Sequence, residues 1–425
     1  MTLILFVLFF GLLFIGMPVA FCMGVASTVV VFMMERLPPS FIVSKFFAGL
    51  DSFPLMAIPF YILAGNLMTE GGLTQKIVNF ANALVGHVRG GLAHVSIVSA
   101  AFFSGVSGSA TADTAAIGSI MIPSMKKQGY AADFSVSVVA AACTMGPIIP
   151  PSILFIVYGS LVQTSIGQLF LAGFLPGIFM ALMLMAFAGV TVRKHGYGPV
   201  HAQFSFRHVV RTFAEAGWAM LVPVIIIGGI VGGLFTPTEA GVIAVAYALI
   251  VSIFILKTVR ISDLPRIFLE AAMMNCIVMM ILGPATVFGA LMIRDYFPDR
   301  VMSLLGWLTS DPTASIFLMM AFIIVIGFVV DTMVMIIMFA YPFAQVAAQF
   351  GYDPIHFGVV FILAATIGGI TPPVGSLLFV ACSIGKVGLT EGSRAIWPFV
   401  VALTVVTAVL ILYPPITTIL PQLLF

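Results

Sequence analysis

Two short stretches of this sequence combine glycine, hydroxyl-bearing residues and one aspartate, a composition suited to holding ions. The first stretch, 104–114, reads SGVSGSATADT, and the second, 327–332, reads GFVVDT. Glycine allows the chain to turn and to approach a ligand closely. Hydroxyl and free carbonyl oxygens suit a hard cation, and the N-terminus of a helix offers N–H groups to an anion. Each stretch therefore has the chemistry to hold a cation and a carboxylate.

A helix-breaking segment follows each stretch. Residues 146–151 read GPIIPP and residues 368–373 read GGITPP. Each proline lacks an N–H and frees a carbonyl one turn earlier. We expect two Na⁺ sites, each formed by one stretch and the break that follows it. The candidate Na⁺ ligands are Ser104, Ser107, Thr111, Asp113, Gly146, Pro147 and Pro150 in the first site, and Gly327, Val330, Asp331, Thr332, Gly368, Gly369, Thr371 and Pro372 in the second. The candidate substrate ligands between them are Ser107, Gly108, Ser109, Ser152 and Thr371.

The two aspartates each admit three roles. Asp113 and Asp331 both precede a threonine near the expected turn. Either carboxylate could cap the returning helix, contact or electrostatically support a cation, or carry a proton. The sequence leaves these roles open.

A constant offset relates the two halves of the chain. Gly129 is followed by tyrosine, as is Gly351, and the two breaks begin at Gly146 and Gly368. Both pairs are separated by 222 residues (351 − 129 = 222; 368 − 146 = 222). This offset indicates an internal duplication, which in membrane carriers is typical of paired repeats around a transport site.

The composition excludes a water-soluble globule. The chain has 425 residues, of which 61% are hydrophobic and only 8% charged, whereas soluble domains carry about 25% charged residues. Continuous apolar runs require helices rather than a barrel of alternating polarity. The four cysteines have no metal-ligand spacing, and no organic cofactor is expected. We predict an all-α polytopic membrane protein.

Each half contains five predicted crossings and one re-entrant hairpin. The first repeat, 1–192, contains spans 2–16, 18–34 and 46–68, an amphipathic piece at 73–88, a hairpin at 91–125, a broken helix at 131–161 and a span at 167–191. An amphipathic cytoplasmic connector follows at 193–217. The second repeat, 218–425, contains spans 217–236, 239–257 and 264–292, a hairpin at 313–348, a broken helix at 354–384 and a span at 395–420.

Five crossings per half place the second repeat upside down, and the basic residues support this topology. Four of the 17 Lys and Arg residues, Arg36, Lys45, Arg294 and Arg300, fall on one side, and the other 13 fall on the opposite side. The positive-inside rule makes the richer side cytoplasmic. Both termini are then predicted to be periplasmic.

Several motifs closely resemble the large membrane subunit (M subunit) of tripartite ATP-independent periplasmic (TRAP) transporters. They are SGSA at 107–110 with AD at 112–113, AIGSI at 116–120, IP at 122–123, MKK at 125–127, GY at 129–130, GPIIPPS at 146–152, AIPF at 57–60, ILAG at 62–65, FTPTEA at 235–240 and GITPP at 369–373.

This resemblance implies an elevator-type, Na⁺-coupled importer of organic acid anions in a bacterial inner membrane. It also implies a periplasmic substrate-binding protein and a small four-helix membrane subunit, here expected as a separate chain. Sialic acid is the favoured substrate, because the hairpin turns contain no arginine that would clamp a dicarboxylate. The alternatives are a C4-dicarboxylate or keto-acid importer of the same family, and an unrelated ion-coupled carrier that works without a binding protein.

Two further classes compete with a carrier. Residues 105–108, GVSG, fit the G-x-S-G pattern of intramembrane serine proteases, but no histidine base lies mid-span. Re-entrant hairpins with free carbonyls also form the selectivity filters of channels.

Overall fold

The computed structural model describes residues 1–34, 37–197, 204–373 and 375–425. These residues form helices and contain no strand, which confirms the predicted all-α fold. Arg36 and residues 198–203 of the predicted connector lie outside the described residues. The helices are α1 (Thr2–Phe14), α2 (Val19–Met33), α3 (Ser40–Leu50), α4 (Ala57–Glu70), α5 (Leu73–Val85), α6 (Gly91–Ser107), α7 (Ala110–Lys127), α8 (Ala132–Cys143), α9 (Ile153–Val162), α10 (Ile166–His195), α11 (Phe206–Val231), α12 (Pro237–Leu249), α13 (Leu264–Arg294), α14 (Phe297–Leu308), α15 (Pro312–Ile326), α16 (Thr332–Gln349), α17 (Pro354–Gly368), α18 (Ser376–Gly385), α19 (Leu389–Ala395), α20 (Trp397–Leu412) and α21 (Pro415–Leu424).

Many of these helices are long and apolar enough for a bilayer. Within the described residues, five helices could cross a membrane by length and composition, and up to eight could do so if each bent pair forms one span. A spanning helix needs about 20 residues. Helices α1 and α2 have 13 and 15 residues, so they are shorter than the two full spans predicted there.

The predicted hairpins and broken helices coincide with helix pairs. The first hairpin is α6 and α7, the second is α15 and α16, and the broken helices are α8 with α9 and α17 with α18. The returning helices begin at Ala110 and Thr332, which are 222 residues apart (332 − 110 = 222). The starts of the two returning helices therefore show the same 222-residue offset as the sequence motifs.

Two predicted spans need correction, each for a local reason. The span at 46–68 is two helices bent by 55°, since Ser52 is extended and Pro54 interrupts the chain there. The last span ends at Leu412 because Pro414 and Pro415 start a new helix.

In the described residues, the two ends of the predicted connector at 193–217 belong to the flanking helices. Helix α10 continues to His195, and α11 begins at Phe206 after its cap Ser205 and continues unbroken to Val231. The C-terminal part of the predicted amphipathic connector is thus the first part of the long helix α11.

Helix α14 was absent from the predicted element list. It lies before the second hairpin, as α5 lies before the first, and it meets α15 at 117°. Its signal is weak because Phe297–Leu308 is only 12 residues long and mixes charged and apolar residues. The amphipathic piece of the first repeat therefore has a counterpart in the second.

The helices pack as two groups. A hairpin bundle consists of α6–α10 and α15–α21, in which α17 is buried from His356 to Gly368 and Lys126 Nζ donates to Gly385 O at 2.8 Å. A wall bundle consists of α1–α4 and α11–α13, in which α4 packs on α12 and α13 packs on α2 and α3. Helices α5 and α14 connect the wall bundle to the two hairpins. The hairpin tips meet the wall bundle at α4 and α13.

Candidate transport site

A cavity of about 280 Å³ lies where the two hairpin tips face the wall bundle. The first hairpin contributes 107–112, the second contributes 331–333, and α4 and α13 form the opposite wall. The broken helices contribute residues beside each break. The lining residues are Ile62, Gly65, Asn66, Thr69, Ser107, Gly108, Ser109, Ala110, Thr111, Ala112, Pro147, Ile153, Leu154, Met274, Ile277, Val278, Ile281, Asp331, Thr332, Met333, Thr366, Ser376 and Leu377.

The tip of the first hairpin rests on the first break. Gly108 has a φ of +63°, a left-handed conformation that glycine adopts without steric cost. Its carbonyl accepts the Ile153 N–H at 3.4 Å, and a Cβ at position 108 would collide with the Pro151 carbonyl. The turn and the start of α9 are therefore held together through backbone groups.

Asp113 is fully buried behind this tip. Ser107 Oγ donates to its Oδ1, and Ser104 Oγ lies 3.1 Å from its Oδ2 while also lying 2.6 Å from Ala100 O, so the Ser104 proton is shared between these two acceptors. No Lys, Arg or His side chain pairs with this carboxylate in the described part of the chain. Burial of a carboxylate without a counter-charge is costly, so this cluster calls for a cation or a proton.

The first break closes the cluster. A Cβ added to Gly146 would lie 2.6 Å from Asp113 Oδ2 and 3.1 Å from the Ala110 nitrogen. Glycine is therefore required for the chain to approach the carboxylate. The structure brings Ser104, Ser107, Asp113 and Gly146 together as predicted, whereas Thr111 is exposed to the cavity and pairs with Ser109 at 3.2 Å. Pro147 lines the cavity, and the Pro150 carbonyl lies 3.7 Å from where a Cβ of Gly105 would stand.

Asp331 has a different geometry. It is exposed at the cavity and caps α16, accepting the Met333 N–H at 3.0 Å, and its Oδ2 accepts from Ser376 Oγ at 3.2 Å. The capping role that the sequence left open thus applies to Asp331. Asp113 does not cap α7, whose cap position is Ser109.

The two aspartates are therefore not equivalent positions. The 222-residue offset relates Asp331 to Ser109 and Asp113 to Met335. The Met335 Cε lies 3.0 Å and 3.2 Å from where Cβ atoms of Gly327 and Gly368 would stand. A thioether thus lies at the second hairpin where the first hairpin has a carboxylate, so the carboxylate of each site occupies a different position, buried in the first and exposed in the second.

The second hairpin crosses its break at two glycines. A Cβ on Gly327 would lie 2.6 Å from the Cα of Gly368, and one on Gly368 would lie 2.6 Å from the Cα of Gly327. Thr332 Oγ1 would meet a Cβ on Gly369 at 2.8 Å. Most of the predicted second site is thus assembled here, with Val330 buried and Pro372 partly buried at its edge.

Three of the five predicted substrate ligands line the cavity, namely Ser107, Gly108 and Ser109. Ser152 and Thr371 are fully buried and do not line it. Ser152 Oγ donates to Pro147 O at 2.5 Å, and Thr371 Oγ1 donates to Ile367 O at 2.6 Å. Each hydroxyl donates to a backbone carbonyl next to a helix break. The prediction that Ser152 and Thr371 line the substrate site is therefore wrong for this cavity.

The wall of the cavity was absent from the predicted site. It consists of Ile62, Asn66 and Thr69 from α4 and of apolar residues from α13. The sequence does carry a signal for Asn66, because a polar residue within an apolar span usually has a functional role. The apolar positions gave no signal, since they resemble any lipid-facing residue.

The family assignment follows from the whole chain. The family model described as "Tripartite ATP-independent periplasmic transporter, DctM component" matches residues 6–416. The sialic acid TRAP transporter large permease SiaM of Vibrio cholerae is 35% identical over 97% of this chain and 96% of its own. The C4-dicarboxylate TRAP transporter large permease DctM of Rhodobacter capsulatus is 35% identical over 100% of this chain and 99% of its own.

This chain belongs to the DctM family of TRAP transporters. The resemblance found in its motifs is thereby confirmed. Among solved structures, the YdaH transporter of Alcanivorax borkumensis matches with a TM-score of 0.64 at 12% identity, covering 87% of this chain and 86% of that one. This likeness concerns the fold alone.

Family membership decides between the classes that the sequence left open. The chain is a large permease of a TRAP transporter, so it is a transporter and not an enzyme. The intramembrane protease reading of residues 105–108 is therefore wrong, as is the reading as an unrelated carrier. The relatives differ in their named substrates, which include 2,3-diketo-L-gulonate for YiaN of Escherichia coli at 34% identity over 94% of this chain. Family membership therefore leaves the substrate undetermined.

Proposed function

We propose that this DctM-family permease imports an organic acid anion in symport with Na⁺. The observation that carries the proposal is the buried cluster of Ser104, Ser107 and Asp113 beside Gly146. It offers oxygen atoms and one uncompensated negative charge, the donor set that a hard monovalent cation requires. Na⁺ bound there would neutralise the carboxylate and fix the hairpin tip next to the cavity.

The second site fits Na⁺ through different groups. Asp331, Thr332 and Ser376 supply a carboxylate and two hydroxyls at the cavity edge, beside the crossing of Gly327 and Gly368. This set is open to the cavity, whereas the Asp113 cluster is closed. We expect two Na⁺ ions per cycle, one at each hairpin.

The cavity fits an organic acid anion. Ser109, Thr111 and the other residues at the N-terminus of α7 line it, and a helix N-terminus favours negative charge. Among the described lining residues, Asp331 is the one ionisable side chain, and no Arg is present to clamp a second carboxylate. A monoanion such as sialic acid is thus favoured over a C4-dicarboxylate.

The transport step is proposed to be an elevator movement of the hairpin bundle along the wall bundle. Both hairpins and both broken helices belong to one bundle, and the cavity lies at the border with the other. With two Na⁺ and one monoanion, one net positive charge moves inward, which a membrane potential drives with about 2.3 kcal/mol per 100 mV.

We infer the orientation of the permease in the membrane from the distribution of its basic residues. The excess of Lys and Arg on one predicted side places the first hairpin's opening and the connector in the cytoplasm and both termini in the periplasm. We place the permease in the bacterial inner membrane, with a separate small membrane subunit and a periplasmic substrate-binding protein as partners.

Uptake into proteoliposomes tests this function. The permease is reconstituted with its small subunit and supplied with binding protein, using sialic acid, succinate or pyruvate as labelled anion. We expect accumulation that requires both a Na⁺ gradient and the binding protein and that increases with an inside-negative potential. Flux down the anion's own gradient without either would indicate a channel and contradict the proposal.

A further inference from the structure

Helix α4 approaches the first hairpin tip unusually closely. A Cβ placed on Gly65 would lie 3.3 Å from the Ser107 Cα, so the glycine allows the wall to touch the tip. The next residue, Asn66, is partly exposed and lines the cavity. The close approach therefore brings α4 against the first hairpin tip, and Asn66 and Ser107 line the same cavity.

Asn66 differs from the other polar residues of the cavity. Each of the others has a partner, such as Gly65 O for Thr69, Ala365 O for Thr332 and Leu363 O for Thr366. Within the described residues, the Asn66 side chain makes no hydrogen bond. Its NH₂ group can donate two hydrogen bonds and its oxygen can accept two.

Apart from Thr69, the wall-bundle residues that line the cavity with Asn66 are apolar. Ile62 lies one turn earlier on α4, and the α13 side of the wall consists of Met274, Ile277, Val278 and Ile281. A polar group in such a setting is costly unless it finds a partner. The cavity itself is the place from which that partner can come.

We propose that Asn66 is a substrate ligand supplied by the wall bundle, with its NH₂ donating to the carboxylate or a hydroxyl of the anion. This inference rests on the proposed function. Because Ser109 and Thr111 move with the hairpin bundle, they accompany the anion through the cycle. Asn66 is fixed on the wall, so it contacts the anion only in the arrangement described here and controls its affinity at this face.

The test uses two nearly isosteric changes in the reconstituted complex. Asn66→Asp keeps the shape but replaces the donor with a negative charge. Asn79→Asp is the control, since Asn79 is exposed on α5 outside the cavity and its Oδ1 accepts from Gln75 Nε2 at 3.0 Å. Asn66→Gln retains the amide. The readouts are the half-saturating concentration of the anion, the maximal rate and the half-saturating Na⁺ concentration.

We expect Asn66→Asp to raise the half-saturating anion concentration by about tenfold or more, the effect of losing one hydrogen bond to a charged group. The half-saturating Na⁺ concentration should stay within twofold, Asn66→Gln should restore part of the affinity, and Asn79→Asp should match wild type. The increase should differ between counterflow measured from the two faces of the membrane, because Asn66 contacts the anion at one of them.

Each outcome has a distinct meaning. An active wild type with Asn66→Asp unchanged, or with its maximal rate lowered at constant anion affinity, would overturn this inference alone. A wild type that transports none of the three anions would overturn the proposed function together with this inference.

Discussion

At the residue scale, the central contrast is between two carboxylates that the sequence presents as a pair. Asp113 is buried and receives two serine hydroxyls, whereas Asp331 caps a helix at the cavity edge. Met335, and not Asp331, corresponds to Asp113 at the 222-residue offset. The two copies therefore share their order of helices but differ in the side chains that surround the break.

Asp113→Asn tests the role of this buried charge. The amide keeps the shape but removes the negative charge, so we expect the half-saturating Na⁺ concentration to increase at least about tenfold, the equivalent of about 1.4 kcal/mol. Na⁺-dependent uptake into proteoliposomes measures it. Met335→Leu, at the equivalent apolar position, is the control and should leave the Na⁺ response near wild type. An unaltered Na⁺ response in Asp113→Asn would exclude the cluster as a cation site.

At the element scale, each hairpin is attached to its own broken helix through glycine. In the second copy, Gly327 and Gly368 form a reciprocal backbone crossing, and in the first copy Gly146 lies against the Asp113 carboxylate. Each hairpin and its broken helix therefore form one structural unit. The two segments can pack this closely because the residues at the contact are glycines, which have no side chain.

Gly368→Ala should force this unit apart. The added methyl would lie 2.6 Å from the Gly327 Cα, a backbone atom that cannot rotate away. Overpacking of this kind costs about 1–3 kcal/mol, so we expect a lower thermal midpoint in detergent and a weaker Na⁺ response. Gly289→Ala on α13 is the control, because nothing lies within 4 Å of the added methyl. The same thermal midpoint and Na⁺ response in both variants would contradict the close contact between Gly327 and Gly368.

At the scale of the whole molecule, the question is how the hairpin bundle is held against the wall bundle. Ser52, between α3 and α4, and Ser160, in α9, place their hydroxyl oxygens 2.8 Å apart across the border. This contact lies beside a second cavity of about 520 Å³, which is also lined by 163–167 and 235–238. An elevator movement would have to separate the two serines.

A cysteine pair at these positions tests that movement. Oxidation of Ser52→Cys with Ser160→Cys should arrest uptake, and a reductant should restore it. Cys276, the exposed native cysteine, is replaced by serine beforehand, while Cys22, Cys143 and Cys382 are buried. Each single-cysteine variant should remain active under oxidation. Full transport by the cross-linked protein would show that the two bundles do not separate here.

Local patterns made much of the architecture predictable. Apolar runs fixed the all-α class, and proline and glycine fixed the two breaks and the hairpin turns, because these residues act on the backbone wherever they occur. The sequence analysis does not predict the bends at Ser52 and Pro414 or the short helix α14. Whether a helix bends, ends or begins at these positions depends on the helices that pack against it.

The sequence by itself determined the membrane class, the duplicated unit and the residues of the hairpin tips, because each is written in composition, spacing or a motif. Only the tertiary structure decided that Asp113 is enclosed while Asp331 caps a helix, that Ser152 and Thr371 are turned to the backbone, and that Asn66 faces the tips. The position of Asn66 depends on packing between helices about 40 residues apart in the chain, and Asp331 accepts from Ser376, 45 residues away. The partners of Asp113, Ser152 and Thr371 are local, but the burial of these side chains depends on the helices packed around them, and no local pattern carries that information.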